Sequence, residues 1–178
     1  MSEAVELSRT VKPRILPAEP VVIEANETER AALTARFDLS DVASLRAEVS
    51  LDKRENGVAA SGTLRASIMQ SCAVSGEDFP VAINEAIDLH FVPEGSLDAA
   101  PSEDDEIDFD LTSEDCDTIE YTGDAFDLGE AVAQTLGLAI DPYAEGPNAE
   151  ATRAKAGLSG DDAPSGPLAE ALAALKKN

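Results

Sequence analysis

Apolar and polar residues alternate along two neighbouring stretches of the chain, which is the pattern of β-strands with one covered face. Residues 45–52 carry apolar side chains at odd positions, and residues 58–68 carry them at even positions. A two-residue turn at Asn56-Gly57, a favoured type I′ pair, would set Val49 opposite Leu64 and bring both apolar sets to one face. The pattern therefore predicts a β-hairpin.

A third alternating stretch follows a short polar loop over Ser75–Asp78. Odd positions within 79–91 are mostly apolar, which extends the hairpin to a three-stranded antiparallel meander with Cys72 on the covered face beside the turn. Residues 20–26 (PVVIEAN) and 118–123 (TIEYTG) are rich in β-branched side chains. They predict two further short strands, the second at a sheet edge.

Two helices are predicted from their start signals. Asn26 precedes acidic residues that suit the first turn of a helix, and this helix should end near residues 38–41. Asp127-Leu128-Gly129-Glu130 resembles a capping box. An apolar stripe follows it until Pro142, which ends the second helix.

The order of these elements predicts one α+β domain: an antiparallel β-meander covered by one or two helices, with an acidic loop and a flexible C-terminal tail. Residues 1–19 are interpreted as an N-terminal extension and residues 20–148 as the domain. Residues 149–166, rich in Gly, Pro and Ala, are expected to be a flexible linker. Residues 167–178 begin with a proline and predict a short C-terminal helix.

Charge restricts the possible partners. Asp and Glu outnumber Lys and Arg 36 to 13, and the formal net charge is −23. Such a chain attracts basic proteins and repels RNA and anionic lipid, so direct RNA binding is disfavoured and no membrane partner is expected.

The acidic residues concentrate in one segment, where ten of the eighteen positions of 103–120 are Asp or Glu. Mutual repulsion predicts an exposed loop that binds a partner. The candidate partner-binding residues are the carboxylates Glu103, Asp104, Asp105, Glu106, Asp108, Asp110, Glu114, Asp115 and Asp117.

The sequence lacks the residue patterns that metal binding, nucleotide binding and nucleophilic catalysis need. Cys72, Cys116 and His90 are the only thiols and imidazole, without zinc-ligand spacing, and the acidic stretch does not match a calcium-binding loop. Nucleotide-binding and nucleophile motifs are absent. We therefore expect no catalytic residue, metal or cofactor. No signal peptide or membrane span is visible, which predicts a cytoplasmic protein.

The order of motifs resembles the bacterial YceD family, named for large ribosomal RNA subunit accumulation. The resemblance covers about residues 20–148 and rests on "GVAASGTLRASIMQSCAVSGEDFPVAI" and "GDAFDLGEAVAQTLGLAIDPY". The matching positions are Gly62, Cys72, Pro80-Val81, Asp127, Leu128, Gly129, Glu130, Leu136, Leu138 and Pro142. Many members carry Cys-x-x-Cys at the turn; Ser75 takes the second position here, as in the alphaproteobacterial branch.

The resemblance implies a non-enzymatic ribosome biogenesis factor that promotes accumulation or processing of large-subunit (23S) ribosomal RNA. With the charge argument, it implies a basic ribosomal protein or a large-subunit assembly intermediate as partner. One alternative is an accessory subunit that docks on an RNA-processing enzyme or ribonucleoprotein. A more remote alternative is an acid-lined, metal-dependent hydrolase. The oligomeric state stays open.

Overall fold

The computed structural model describes residues 6–96 and 117–157. The helices in this part are α1 (Glu27–Arg36), α2 (Leu128–Ala139) and α3 (Ala149–Lys155). The strands are β1 (Thr10–Val11), β2 (Val21–Glu24), β3 (Asp41–Arg54), β4 (Gly57–Ser71), β5 (Asp78–Pro93), β6 (Thr118–Tyr121) and β7 (Phe126–Asp127).

The predicted α+β class is confirmed. Five strands form one sheet in the order β2-β3-β4-β5-β6, and β1 pairs with β7 in a second, two-stranded sheet. β3 runs antiparallel to both β2 and β4, whereas β6 runs parallel to β5, with Thr118 beside His90. The short strand predicted at 118–123 therefore lies at a sheet edge and makes the sheet mixed.

The predicted register of the β3–β4 hairpin is wrong by two residues. Arg54 pairs with Gly57, so Val49 lies opposite Gly62 instead of Leu64. A shift by two residues leaves each side chain on its original face. The prediction that both apolar sets share one face is therefore confirmed, while the individual cross-strand neighbours are different.

Gly57 serves the packing of the sheet rather than the turn. A Cβ atom at this position would lie 2.1 Å from the carbonyl oxygen of Phe91, so only glycine fits in the strand. The turn residues are Glu55-Asn56. Among the described residues, Asp38 is the one non-glycine with a positive φ (51°), so this turn lacks the left-handed conformations of type I′.

The covered face of the five-stranded sheet is packed mainly with aliphatic side chains. Each buried residue of this kind contributes about 1.5–3 kcal/mol. Phe91 and Phe126 stack with ring centroids 4.1 Å apart. The fully buried side chains include Ile23, Leu33, Leu45, Val49, Leu64, Ile68, Leu128, Val132 and Leu136. Both α1 and α2 thus contribute to this core.

Part of the predicted N-terminal extension belongs to the same core. Leu7 is 1% exposed, and β1 pairs with β7 through Thr10 opposite Asp127. The sequence offered no strong strand signal here because only two residues pair. Residues 6–11 form the N-terminal segment.

The described chain divides into two compact units. The first comprises residues up to Gln70 together with Pro80–Asp141, and the second comprises Ser71–Phe79 together with the chain from Pro142 onward. In the second unit, the Ala73 N–H donates to the Ala144 carbonyl oxygen at 3.1 Å. The Asn148 side-chain amide donates to Glu77 at 2.7 Å.

Helix α3 lies in the first part of residues 149–166, where the composition predicted a flexible linker. Ala149 is buried at 4% exposure, and Arg153 forms an ion pair with Glu145. Tertiary packing therefore overrides the weak local preference of this segment. The domain boundaries stay predictions, and the predicted helix over 167–178 lies outside the described residues. No helix within 6–96 and 117–157 is long and apolar enough to cross a membrane.

Candidate functional site

The Asp127 side chain joins the N-terminal segment to helix α2. It caps the helix, with Oδ1 accepting from the backbone N–H groups of Gly129 at 2.9 Å and Glu130 at 3.2 Å. The same Oδ1 accepts from the Arg9 N–H at 2.8 Å, and the Ser8 hydroxyl donates to Oδ2. Burial alone would raise the pKa of Asp127, but these hydrogen bonds outweigh it and hold the pKa below its ordinary value.

Gly129 allows the N-terminal segment to lie directly against α2. A Cβ atom at Gly129 would lie 2.7 Å from the Arg9 nitrogen, 2.8 Å from the Leu7 oxygen and 2.9 Å from the Ser8 carbonyl carbon. All three are backbone atoms, which cannot rotate away as a side chain can. The glycine is therefore required by close packing.

Two arginines add ion pairs between the N-terminal segment, α1 and α2. Arg36 on α1 forms ion pairs with Glu6 at 2.6 Å and Glu130 at 2.8 Å. Arg9 pairs with Glu29 at 2.7 Å. These side-chain hydrogen bonds lower the pKa values of Glu130 and Glu29. Glu130 bonds to Arg36 and Gln134 rather than closing the predicted capping box.

Some of the other family-motif positions have structural roles. A Cβ atom at Gly62 would lie 2.0 Å from the Glu48 carbonyl oxygen, so β3 and β4 approach too closely there for any side chain. Leu128 is fully buried, whereas Leu138 is 89% exposed, and Pro80 is exposed on β5. Gly62 and Leu128 are therefore explained by packing, and Pro80 and Leu138 are not.

Cys72 lies in the second compact unit and is 3% exposed. Its sulfur accepts from the backbone N–H of Val74 at 3.4 Å and of Ser75 at 3.3 Å. Hydrogen bonds from the Ser75 side chain, and then from the Ser75, Gly146 and Val74 backbones, lower the pKa of the Cys72 thiol to about 7. The serine that replaces a second cysteine therefore supports the sulfur of the first.

No group of three or more His, Cys, Asp or Glu side chains within 6–96 and 117–157 is arranged to hold a metal ion. Cys116 lies outside the described residues. Among the described groups, Cys72 therefore has no second thiol beside it, and its hydrogen bonds organise a turn.

Most of the predicted acidic loop, from Glu103 to Asp115, lies outside the described residues. Asp117 is exposed, and its carbonyl oxygen accepts from the His90 N–H at 2.9 Å. At the other end, the Glu94 N–H donates to the Tyr121 carbonyl oxygen at 2.9 Å. Glu94 before this stretch and Asp117 after it are thus both held where β5 and β6 adjoin.

A cavity of ≈ 580 Å³ lies where β5 and β6 adjoin and is called the edge cavity here. Its lining includes Asp88, His90 and Asp117 together with Arg54. The Nε2 atom of His90 is buried and has no hydrogen-bond partner among the described residues. A ring nitrogen of histidine donates or accepts a hydrogen bond according to whether it carries the proton.

Sequence reasoning missed a group of arginines on the open face of the sheet. Arg46 on β3 lies directly opposite Arg65 on β4, whereas the predicted register would have set Arg65 opposite Glu48. A groove of ≈ 510 Å³ is lined by both arginines and by Arg30. Alternation placed Arg46 and Arg65 on the polar face, but only the correct register makes them neighbours.

A family model described as large ribosomal RNA subunit accumulation protein YceD matches residues 60–177. This is well over half of the chain, and it begins later and ends later than the stretch that carries the motif resemblance. A role in the accumulation of large-subunit ribosomal RNA follows from the family description. No curated protein and no solved structure matches the chain.

Proposed function

Because the chain belongs to the YceD family, we propose that it acts without catalysis by holding a basic ribosomal protein on its acidic segment. A basic protein with its charge neutralised is kept from nonspecific contacts until it meets the large-subunit RNA. Residues Glu103 to Asp117 supply the negative charge in this proposal.

The observation that carries the proposal is the concentration of carboxylates between two anchored strands. Ten acidic residues lie within 103–120. Glu94, which precedes this stretch, and Asp117, which lies in it, are held on adjoining strands by backbone hydrogen bonds. A partner bound to the segment is therefore held at one edge of a rigid sheet.

The edge cavity adds a place for a single cationic side chain. Its lining carries three carboxylates, on Glu55, Asp88 and Asp117, against one cation of the protein, Arg54. The excess of negative charge in the lining favours a lysine or arginine of the partner.

The test is retention of salt-washed large-subunit ribosomal proteins by the full-length chain. The segment variant neutralises Glu103, Asp104, Asp105, Glu106, Asp108 and Asp110 to their amides. The control variant neutralises an equal number of exposed carboxylates elsewhere: Glu19, Asp38, Asp41, Asp52, Glu85 and Glu150. Both variants have the same net charge, so a difference in partner binding between them reports where the carboxylates lie and not how many there are.

Exposed ion pairs contribute about 0.3 kcal/mol each. Losing the six pairs of the segment variant therefore costs about 1.8 kcal/mol, which weakens binding by roughly 20-fold. We expect the control variant to bind within about twofold of the parent chain. Equal weakening of both variants would contradict a specific role for the segment. Retention that disappears on RNase treatment would favour an accessory role on a ribonucleoprotein.

In cells, depletion of the protein should lower the ratio of large-subunit to small-subunit ribosomal RNA.

A further inference from the structure

Two arginines face each other on the open side of the five-stranded sheet. Arg46 and Arg65 are cross-strand partners on β3 and β4, and like charges directly opposite each other destabilise a sheet. The chain as a whole has few cations, 13 among 178 residues. Because Glu24 on β2 lies opposite Arg46, the two arginines share one cross-strand carboxylate, and the remaining positive charge points to an anionic ligand.

The groove around this pair is locally basic in an acidic protein. Arg30 on α1 contributes a third guanidinium, and among the described lining residues Glu24 is the one carboxylate. Glu24 contacts Arg46 at 3.4 Å, with side chains that are 73% and 55% exposed. An exposed pair of this kind contributes little stability, so Arg46 is available to another anion.

Among the described residues, the hydrogen-bond partners of the other two guanidinium groups are neutral oxygens. Arg65 Nε donates to the Asn84 side-chain oxygen at 3.4 Å, and Arg30 donates to the Ala25 carbonyl oxygen at 2.9 Å. Each arginine has five N–H donors in a planar fork that matches phosphate geometry. Most of these donors therefore remain for a ligand.

The described residue at which the acidic segment rejoins the sheet lies well away from the groove. It adjoins His90, which is six residues along β5 from Asn84, or roughly 20 Å at the rise of a strand. The Debye length at physiological ionic strength is about 8 Å. Within β3 itself, the exposed acid nearest to Arg46 is Glu48, two residues away on the same face. Neutralising Glu48 should strengthen the binding of an anion, whereas neutralising the arginines should weaken it.

We propose that the groove formed by Arg30, Arg46 and Arg65 binds the phosphodiester backbone of RNA, although the net charge of −23 disfavours RNA binding elsewhere on the chain. Small side chains in its lining, including Ser67 and Ala82, let a polymer lie close to the sheet. The family role concerns ribosomal RNA, which favours RNA over an acidic protein as occupant. The groove shares no residue with the stretch from Glu103 to Asp117, so one chain has separate residues for a basic protein and for RNA.

The experiment measures binding of a fluorescently labelled single-stranded RNA of about 20 nucleotides by anisotropy, from about 50 to 200 mM salt. The test variant carries Arg46→Gln and Arg65→Gln, and the matched control carries Lys12→Gln and Lys155→Gln, which lie outside the groove. Because the test variant removes a like-charge pair, its thermal midpoint should be no lower than that of the parent chain. Poly-glutamate serves as the competing acidic polymer.

We expect the test variant to bind RNA at least about tenfold more weakly and its salt slope to fall by about 1.4, since each lost phosphate contact removes about 0.7. Glu48→Gln should tighten binding by about twofold. A parent chain that binds no RNA at about 50 mM salt, or a test variant that matches the control, would overturn the proposal. Equal competition by poly-glutamate would overturn RNA as the occupant. Retention of a basic ribosomal protein should be unchanged in the test variant, so the two proposals fail independently.

Discussion

Replacing Gly129 with alanine should loosen the N-terminal segment from helix α2. The new Cβ atom would lie within 2.7–2.9 Å of backbone atoms of Leu7, Ser8 and Arg9. Either the segment moves outward, or the helix start is displaced from its cap at Asp127.

The expected change in the free energy of unfolding is the sum of opposing contributions. Alanine gains at most about 1 kcal/mol over glycine in a helix, whereas overpacking costs about 1–3 kcal/mol. Moving the segment would also expose Leu7, worth about 2 kcal/mol, and break hydrogen bonds to Asp127 worth about 1 kcal/mol each. We expect a net loss of about 2 kcal/mol, which lowers the melting temperature by roughly 4–8 °C.

The assay is urea unfolding followed by circular dichroism, with Gly137→Ala as the matched control in the same helix. A Cβ atom at Gly137 would meet the Phe37 ring, 2.6 Å from Cε1, and the end of a side chain can move aside. The control should therefore stay within about 1 kcal/mol of the parent chain.

Deletion of residues 1–11 completes the design, because it removes the backbone atoms that Gly129→Ala would strike. In the shortened chain the substitution should be neutral or stabilising by up to about 1 kcal/mol. A full-length Gly129→Ala protein as stable as the parent would refute the close approach. Equal destabilisation with and without residues 1–11 would show that another contact is responsible.

Three further substitutions test the contacts of Gly62, Asp127 and Ser75. Gly62→Ala should cost about 3 kcal/mol in urea unfolding, because its Cβ atom would strike the β3 backbone; an unchanged midpoint would contradict this packing. Asp127 has a folded pKa below its unfolded value, so its stabilisation is complete above the unfolded pKa and is lost as pH falls through the folded pKa. Asp127→Asn should therefore be less stable by about 1 kcal/mol at neutral pH, with a shallower fall in stability from about pH 5 to pH 3; an unaltered pH profile would count against the cap. In a Cys116→Ser background, Ser75→Ala should raise the midpoint of Cys72 thiolate absorbance above about 7; the same midpoint in both proteins would exclude the hydroxyl as the cause.

Local chemistry accounts for the elements that the sequence predicts well. Asn26 and Glu29 form a reciprocal capping box at the start of α1, and Asp127 caps α2, because each contact needs only residues within one turn. Strand alternation likewise identifies the covered face, since side-chain direction depends on position parity alone. The family-motif residues were recognised for the same reason, as short ordered patterns.

Contacts between distant parts of the chain depend on the tertiary structure. The reason for glycine at position 129 lies in the N-terminal segment, more than a hundred residues away, and the reason for Gly57 lies in Phe91. A two-residue register shift preserves parity, so alternation cannot detect it. That shift nevertheless exchanges the expected Arg65–Glu48 neighbours for Arg65–Arg46. By itself the sequence determined the fold class, the caps and the acidic character; only the packed sheet decided that arginines converge on one groove, because cross-strand proximity is set by register and not by local preference.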